Sequence, residues 1–298
     1  MISPPSLKTG DKVAIVSTAR KVSSGEITFA KETIESWGYE VIIGESIDKE
    51  ADQFAGTDEL RAADLQRVLD MPEVRAVFMA RGGYGTVRIV DQLDFTRFQE
   101  DPKWLIGFSD VTVLHNHLHK HLDTTTLHAS MPFNFPKNTE EALVSLQTFI
   151  SGGQMDYQIG GHRLNKMGEA SGLLTGGNLS IIYSLMSSSS EVDTQGKILF
   201  LEDLDEYLYH IDRMIMNLKR ADKLQGLAGL IVGGMTEMND NEVPFGKSAE
   251  EIIKEHVEQY DYPVCFGFPA GHIPNNLALK MGSQVVLNVA DECSLKEI

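Results

Sequence analysis

The chain has 298 residues, 42% hydrophobic and 23% charged, which suits an ordinary globular protein of two domains or one large one. No apolar run reaches membrane-spanning length, and the formal net charge of −17 argues against nucleic-acid backbone as a partner, because such sites need clustered Lys and Arg. Met1-Ile-Ser-Pro-Pro-Ser lacks a secretory signal's order of basic then apolar residues, and Cys265 and Cys293 are too few for a disulfide framework or zinc site, so a cytoplasmic location with two buried, reduced cysteines is expected.

Lys12-Val-Ala-Ile-Val-Ser and Glu40-Val-Ile-Ile-Gly read as buried strands. Between them Ile27, Ala30, Ile34 and Trp37 recur at helical spacing behind the cap candidates Ser23 and Ser24. A helix around residues 58–70 leads to a third strand, Val74-Arg-Ala-Val-Phe-Met-Ala. A fourth, Trp104-Leu-Ile-Gly-Phe, runs into a helix over 110–121, and Thr124-Thr-Thr-Leu-His is a weaker fifth. Strands alternating with helices predict a parallel sheet with right-handed crossovers. Asn138-Thr-Glu-Glu141 has capping-box spacing and opens a helix carrying Leu143, Leu146, Phe149 and Ile150. Residues 1–150 then form a first domain, 151–167 a polar linker, and 168–298 a second α/β domain. In that second part Ser171-Gly-Leu-Leu, Lys197-Ile-Leu-Phe-Leu, Leu227-Ala-Gly-Leu-Ile-Val and Pro263-Val-Cys-Phe-Gly read as strands. An amphipathic helix presents Ile211, Met214, Ile215 and Leu218 to the core, another starts at the capping box Ser248-Ala-Glu-Glu251, and 277–290 reads as a hairpin turning near Lys280-Met-Gly-Ser.

Chemistry-bearing residues fall where apolar strands end. Ser109 sits at a strand-to-helix junction, where its hydroxyl can be exposed and the next backbone N–H faces an oxyanion at the helix start. Gly107 allows close approach, but Val111 stands where the hydrolase elbow has its second glycine, and on its own the serine reads first as a helix N-cap. Ala80-Arg-Gly-Gly-Tyr-Gly85 can point backbone N–H groups at an anion, or can be a structural turn; it lacks the spacing of a nucleotide-binding loop. Glu202 continues the Phe200 face of its strand and could fix an imidazole, whereas Asp205 and Glu206 read as helix-capping acids. His272 lies in a loop braced by glycine and prolines, a place for a catalytic or an exposed histidine. His115, His117, His119 and His121 alternate, but no Glu, Asp or Cys completes a metal set, and a polar helix surface is expected.

Taken in order, Gly10-Asp-Lys-Val-Ala-Ile-Val-Ser, Arg81-Gly-Gly-Tyr-Gly85, Gly107-Phe-Ser-Asp-Val-Thr112, Thr175-Gly-Gly-Asn-Leu179, Leu201-Glu-Asp-Leu-Asp-Glu206, Tyr209-His-Ile-Asp-Arg213 and Gly271-His272 with Asn276 resemble the LD-carboxypeptidase family of serine peptidases. That family also includes the microcin C immunity peptidases. Ala278 and Lys280 depart from its Thr and Pro, and Phe108 from its common Tyr. The resemblance implies a Rossmann-like parallel-sheet N-terminal domain with a smaller α/β C-terminal domain. It implies Ser109 as nucleophile, His272 as general base and then acid, and Glu202 as the carboxylate that orients it. The backbone N–H groups of Gly83 and Asp110 are expected to form the oxyanion hole. The reaction implied is hydrolysis, without metal or cofactor, of the amide between a diamino acid's L-centre and a terminal D-Ala in cytoplasmic murein tetrapeptides. The substrate is then a small anionic peptide or muropeptide, with Arg81 or Arg213 a candidate for its carboxylate, and the protein a homodimer with no nucleic-acid or membrane partner. A microcin C type peptidase cutting a peptidyl-nucleotide and a non-catalytic peptide-binding protein are the alternatives.

Overall fold

Runs of largely apolar residues form strands that a parallel sheet buries on both faces, and the computed structural model, which describes all 298 residues, has three of them in one sheet. The chain divides into two units, Met1–Gly153 with Pro274–Lys280, and Gln154–Ile273 with Met281–Ile298. No helix is long and apolar enough to cross a membrane.

The first unit carries strands β1 (Lys12–Val16), β2 (Glu40–Ile43), β3 (Val74–Met79), β4 (Trp104–Gly107) and β5 (Thr126–His128). They lie parallel in the order β2-β1-β3-β4-β5. This is a doubly wound order whose sequence reverses between β1 and β3, so the loops after those two strands flank the crevice where such folds bind ligands. Helices α1 (Ser24–Ser36), α2 (Asp58–Asp70), α3 (Thr96–Glu100), α4 (Thr112–Leu122) and α5 (Glu140–Ile150) make the connections. Ser23 and Glu26 cap α1 reciprocally. The cap of α5 is Thr139, not Asn138: the Thr139 hydroxyl accepts the Ala142 N–H at 3.2 Å, while the Asn138 amide donates to the Pro274 carbonyl at 3.0 Å.

The second unit begins with β6 (Asp156–Gly160), inside the stretch read as a linker. Its alternating, partly exposed DYQIG has no fully buried residue, which is why no apolar signal marked it. Then follow β7 (Gly168–Asn178), α6 (Leu179–Ser184), β8 (Ile198–Leu204), α7 (Leu208–Arg220), β9 (Gly229–Thr236), α8 (Ala249–Val257) and β10 (Val264–Phe266). Strands β10, β9, β8 and β7 are parallel neighbours. As the periodicity predicts, Ile211, Met214, Ile215 and Leu218 of α7 are fully buried, each contributing roughly 1.5–3 kcal/mol of apolar burial.

The hairpin expected over 277–290 does not form. Leu279–Met281 (β11) joins the first sheet beside β5, and β12 (Gln284–Val289) enters the second sheet antiparallel to β7. Gly282, at φ +93, turns the chain between the sheets and not between paired strands. The actual hairpin is β12 with β13 (Glu292–Glu297), whose turn at Ala290-Asp291 contains no glycine or proline to announce it.

Gly176 and Gly196 separate two uses of glycine in the second unit. Both have positive φ, at +120 and +66, but a Cβ at Gly176 would collide with the Phe200 carbonyl, whereas one at Gly196 meets open space. Gly196→Ala should cost about 1 kcal/mol of backbone strain. Gly176→Ala should cost several-fold more and lower the thermal midpoint visibly further, which differential scanning calorimetry of the two variants will measure.

Candidate active site

Ser109 follows β4 and opens a short 3₁₀ turn, Ser109–Val111, that runs straight into α4. Its φ is +63, the left-handed region, where a residue with a Cβ is strained by roughly 1–2 kcal/mol. It is half-buried on this sharp turn. Val111 occupies the place of the missing second elbow glycine, and Gly107 makes that tolerable: a Cβ on Gly107 would stand 2.7 Å from Val111 Cγ2. The close approach that an elbow obtains from two glycines is obtained here from one. Below the turn, His115 donates Nε2–H to the Gly107 carbonyl at 2.9 Å. Burial holds the His115 pKa down at about 4, so the ring stays a neutral donor that fixes the strand end.

The glycine loop lies against this serine. A Cβ on Gly82 would sit 3.1 Å from Ser109 Cβ and 3.2 Å from its Oγ, so only glycine lets the loop come so near. Next to it Gly83, at φ +116, is exposed. Asp110 has no exposed surface, and its carboxylate accepts the Thr86 N–H at 2.9 Å. Burial raises the Asp110 pKa against the lowering effect of the Thr86 hydrogen bonds and the Arg61 charge.

In the second unit Glu202 and His272 meet. Glu202 is fully buried on β8, where the register with β9 shifts between Leu201 and Asp203. Its Oε2 accepts from His272 Nδ1 at 2.6 Å and from the His272 N–H at 3.2 Å. The contact needs glycine at 271, with φ +110, because a Cβ there would lie 2.7 Å from Glu202 Oε2. With Nδ1–H donated to the carboxylate, Nε2 carries the lone pair of the neutral ring. Burial alone would push the His272 pKa down; the charge and hydrogen bond of Glu202, with Asp203 and Glu237, outweigh it and leave the pKa raised. Asp203 does a different job. It accepts from Asn178 Nδ2 and the Ser180 N–H, both at 2.9 Å, and so holds the N-cap residue Asn178 and a free first-turn N–H of α6.

The chain matches the LD-carboxypeptidase N-terminal domain over residues 13–129 and the LD-carboxypeptidase C-terminal domain over residues 171–287. It belongs to the LD-carboxypeptidase family. It is 31% identical to a probable murein peptide carboxypeptidase of Bacillus subtilis, covering 99% of this chain and 94% of that protein. The crystal structure of muramoyltetrapeptide carboxypeptidase from Oxalobacter formigenes superposes with a TM-score of 0.88 at 26% identity, over 96% of this chain and 98% of that one. A microcin C7 self-immunity protein in complex with aspartyl sulfamoyl adenosine shares the fold, with a TM-score of 0.88 at 18% identity over 100% and 99% of the two chains. The family and these relatives mark the chain as a carboxypeptidase, a hydrolase.

The expectation for the helix after Ser109 needs correction. The alternating histidines are not a surface row. His115 is fully buried, His119 is buried with Nε2 3.1 Å from Thr126 Oγ1, and His117 and His121 meet on the outer side with ring centroids 4.6 Å apart and planes tilted by 45°. A helix turns 100° per residue, so alternate positions cannot share one face. Arg81 packs its guanidinium over Phe133 at 4.0 Å, and Arg213 lies over Tyr209 at 5.1 Å. Sequence reasoning missed the Asp110 carboxylate, Thr86 and the spacing role of Gly82 and Gly271. Only Gly271, directly before His272, carried a readable signal.

The His272–Glu202 contact makes a prediction that needs no substrate. The His272 imidazole should titrate above the ordinary value of about 6.5, and Glu202→Gln should bring it below, because burial then acts with less opposition. NMR titration of the ring protons reads both values; an unmoved pKa in Glu202→Gln would mean that Glu202 does not govern the ring.

Proposed function

We propose that the protein is a serine-type LD-carboxypeptidase in which Ser109, His272 and Glu202 act together. The 2.6 Å contact between Glu202 and His272 Nδ1 carries this reading, since it leaves Nε2 as the base of a carboxylate-held imidazole. His272 takes the proton of Ser109 Oγ as the oxygen attacks the scissile carbonyl. The backbone N–H groups of Gly83 and Asp110 receive the developing oxyanion, near the start of α4. His272 returns the proton to the departing amine, and the same base then activates water to free the acyl group. Strain at Ser109 supports the assignment, because a left-handed serine on a tight turn after a strand is unfavourable and such strain gathers at functional sites.

We take the substrate to be the L,D-amide to a terminal D-Ala in murein tetrapeptide; the names of the Bacillus subtilis and Oxalobacter formigenes relatives, a probable murein peptide carboxypeptidase and a muramoyltetrapeptide carboxypeptidase, support a cell-wall peptide. We place the reaction in the cytoplasm, in recycling of cell-wall fragments, carried out by a homodimer with no cofactor and no nucleic-acid or membrane partner. A net charge of −17 repels an anionic fragment at long range, so recognition falls to local cations such as Arg81 or Arg213. The shared fold with a microcin C7 immunity protein favours one second reading, cleavage of a peptidyl-nucleotide amide.

Ser109→Ala should fold normally and lose about 10⁴-fold or more in turnover if the three residues act as a unit. Glu202→Gln should cost less, on the order of 10²- to 10⁴-fold, and more than Asp203→Asn in matched assays. A larger loss in Asp203→Asn would identify Asp203 as the orienting acid.

Stereochemistry gives the sharper test. The D-methyl of the leaving alanine must occupy space that an L-methyl cannot use, and a displacement of about 1 Å in the reacting carbon costs on the order of 10²-fold. A tetrapeptide ending in D-Ala should therefore be hydrolysed at least about 10²-fold faster, in kcat/KM, than its L-Ala epimer. Mass spectrometry of both epimers and a peptidyl-adenylate after incubation decides. Equal rates for the epimers would falsify the L,D assignment and leave the serine mechanism standing, and cleavage of the adenylate alone would establish the second reading.

A further inference from the structure

The peptide group joining Gly85 to Thr86 is gripped at both of its polar atoms. Its carbonyl accepts from Arg61 Nη1 at 3.1 Å, and its N–H donates to Asp110 Oδ2 at 2.9 Å. Both gripping side chains are completely buried. Arg61 reaches in from α2 and also donates to the Thr18 carbonyl and to Asp58, with its guanidinium 4.9 Å from the centre of the Phe54 ring. Asp58 is held in turn by Arg88 Nε at 2.8 Å. The Thr86 hydroxyl lies 2.8 Å from that of Thr18, which ties the same point to the loop after β1. Gly85 has no side chain because the guanidinium needs the room: a Cβ there would be 2.6 Å from Arg61 Nη1.

We propose that Arg61 and the Asp110 carboxylate are positioning residues, which clamp the Gly85–Thr86 peptide and so set the glycine loop against the Ser109 turn. Burying an arginine and a carboxylate is expensive, and apolar residues of similar volume usually serve stability as well or better. What an apolar pair cannot do is fix one peptide plane by its carbonyl and its N–H together. The plane lies two residues beyond Gly83, and Asp110 is the residue directly after Ser109. Through it the two N–H groups assigned above to the oxyanion hole are held at a fixed separation. This inference rests on the serine reading of the site.

The test compares Asp110→Asn, Asp110→Leu, Arg61→Lys and Arg61→Met, each first shown folded by its thermal midpoint. Two rates are read: kcat and KM on a murein tetrapeptide ending in D-Ala, and phosphonylation by an alkyl fluorophosphonate. In the second reaction Ser109 Oγ bonds to phosphorus, fluoride leaves, and the serine proton passes to the base. Asp110→Leu and Arg61→Met should lose about 10²-fold in kcat with KM changed less than about 3-fold, and should be phosphonylated correspondingly slowly. Asp110→Asn, whose amide oxygen can still accept the Thr86 N–H, should recover most of that loss. Folded Leu and Met variants with parental kcat, a loss confined to KM, or an Asn variant as impaired as the Leu variant would each overturn the proposal. Should the Leu and Met variants not fold, Arg61→Lys decides, since an ammonium lacks the planar fork: a fall of about 10-fold in kcat supports the clamp and no fall overturns it. Failure of the serine reading would look different, because the parent protein itself would then take no phosphonate at Ser109.

Discussion

A carboxylate without exposed surface is among the costliest groups a fold can hold, and the second unit is arranged around one. Glu202 sits on β8 with its oxygens out of water, and desolvation on that scale is tolerated only where hydrogen bonds and opposite charge replace the lost hydration. His272 supplies both, through its ring and its backbone N–H. Each neighbouring feature follows from keeping that pair in contact. Gly271 must lack a side chain because Glu202 occupies the space, and the register shift in β8 places Glu202 and Asp203 on separate duties. Asp203 satisfies α6 through Ser180 and Asn178, while Glu202 is left for the imidazole. The Thr236 hydroxyl donates to the His272 carbonyl at 3.2 Å, fixing the loop from its other side.

The first unit adds backbone strain to its own buried charges, Arg61 and Asp110. Ser109 adopts a backbone conformation that an L-residue avoids, and the turn persists because its surroundings over-determine it. His115 holds the carbonyl of Gly107 before the turn, and Asp110 is tied to Thr86 after it. Between those two anchors the serine has little freedom to relax. Glycines at 82 and 107 provide the room, one for the loop and one for Val111.

Much of this was legible in the sequence, for reasons that differ by element. The strands β1, β3 and β4 are buried on both faces, so apart from Lys12 and Arg75 their runs are apolar, and the positions of Ser109 just after β4 and Glu202 late in β8 follow directly. Strand β6 is an edge strand with half-exposed residues, and its composition resembles a loop. The β11 segment misled for another reason. Gly282 gives the same turn signal whether the chain folds back on its neighbour or crosses to another sheet. Arg61 stayed invisible because a charged residue on a helix with Asp58, Glu59, Arg67 and Asp70 reads as solvated; only tertiary packing reveals that it is fully buried.

The two adjacent acids also make the chemistry of the pair depend on pH in a way that neither would alone. Burial first, and then the Glu202 charge, push the Asp203 pKa up to about 7, into the range where an imidazole titrates. A folded pKa above the unfolded value of about 3.9 means that the folded state binds the extra proton, so Asp203 withdraws stability as pH rises through that window. Its hydrogen bonds from Ser180 and Asn178 oppose this withdrawal. Asp203 is also one of the charges that raise the His272 pKa. As pH falls and Asp203 takes a proton, it stops supporting the imidazolium, and His272 holds its own proton less tightly than Glu202 and Asp203 together would make it. The two groups therefore lose protons in linked steps, and under the proposed mechanism the acid limb of a rate profile belongs to the cluster. Removing the charge at Asp203 should narrow that limb toward a single titration without displacing the carboxylate that touches the ring. Rate alone does not separate an acid that orients a base from one that only charges its surroundings; the shape of the pH profile does.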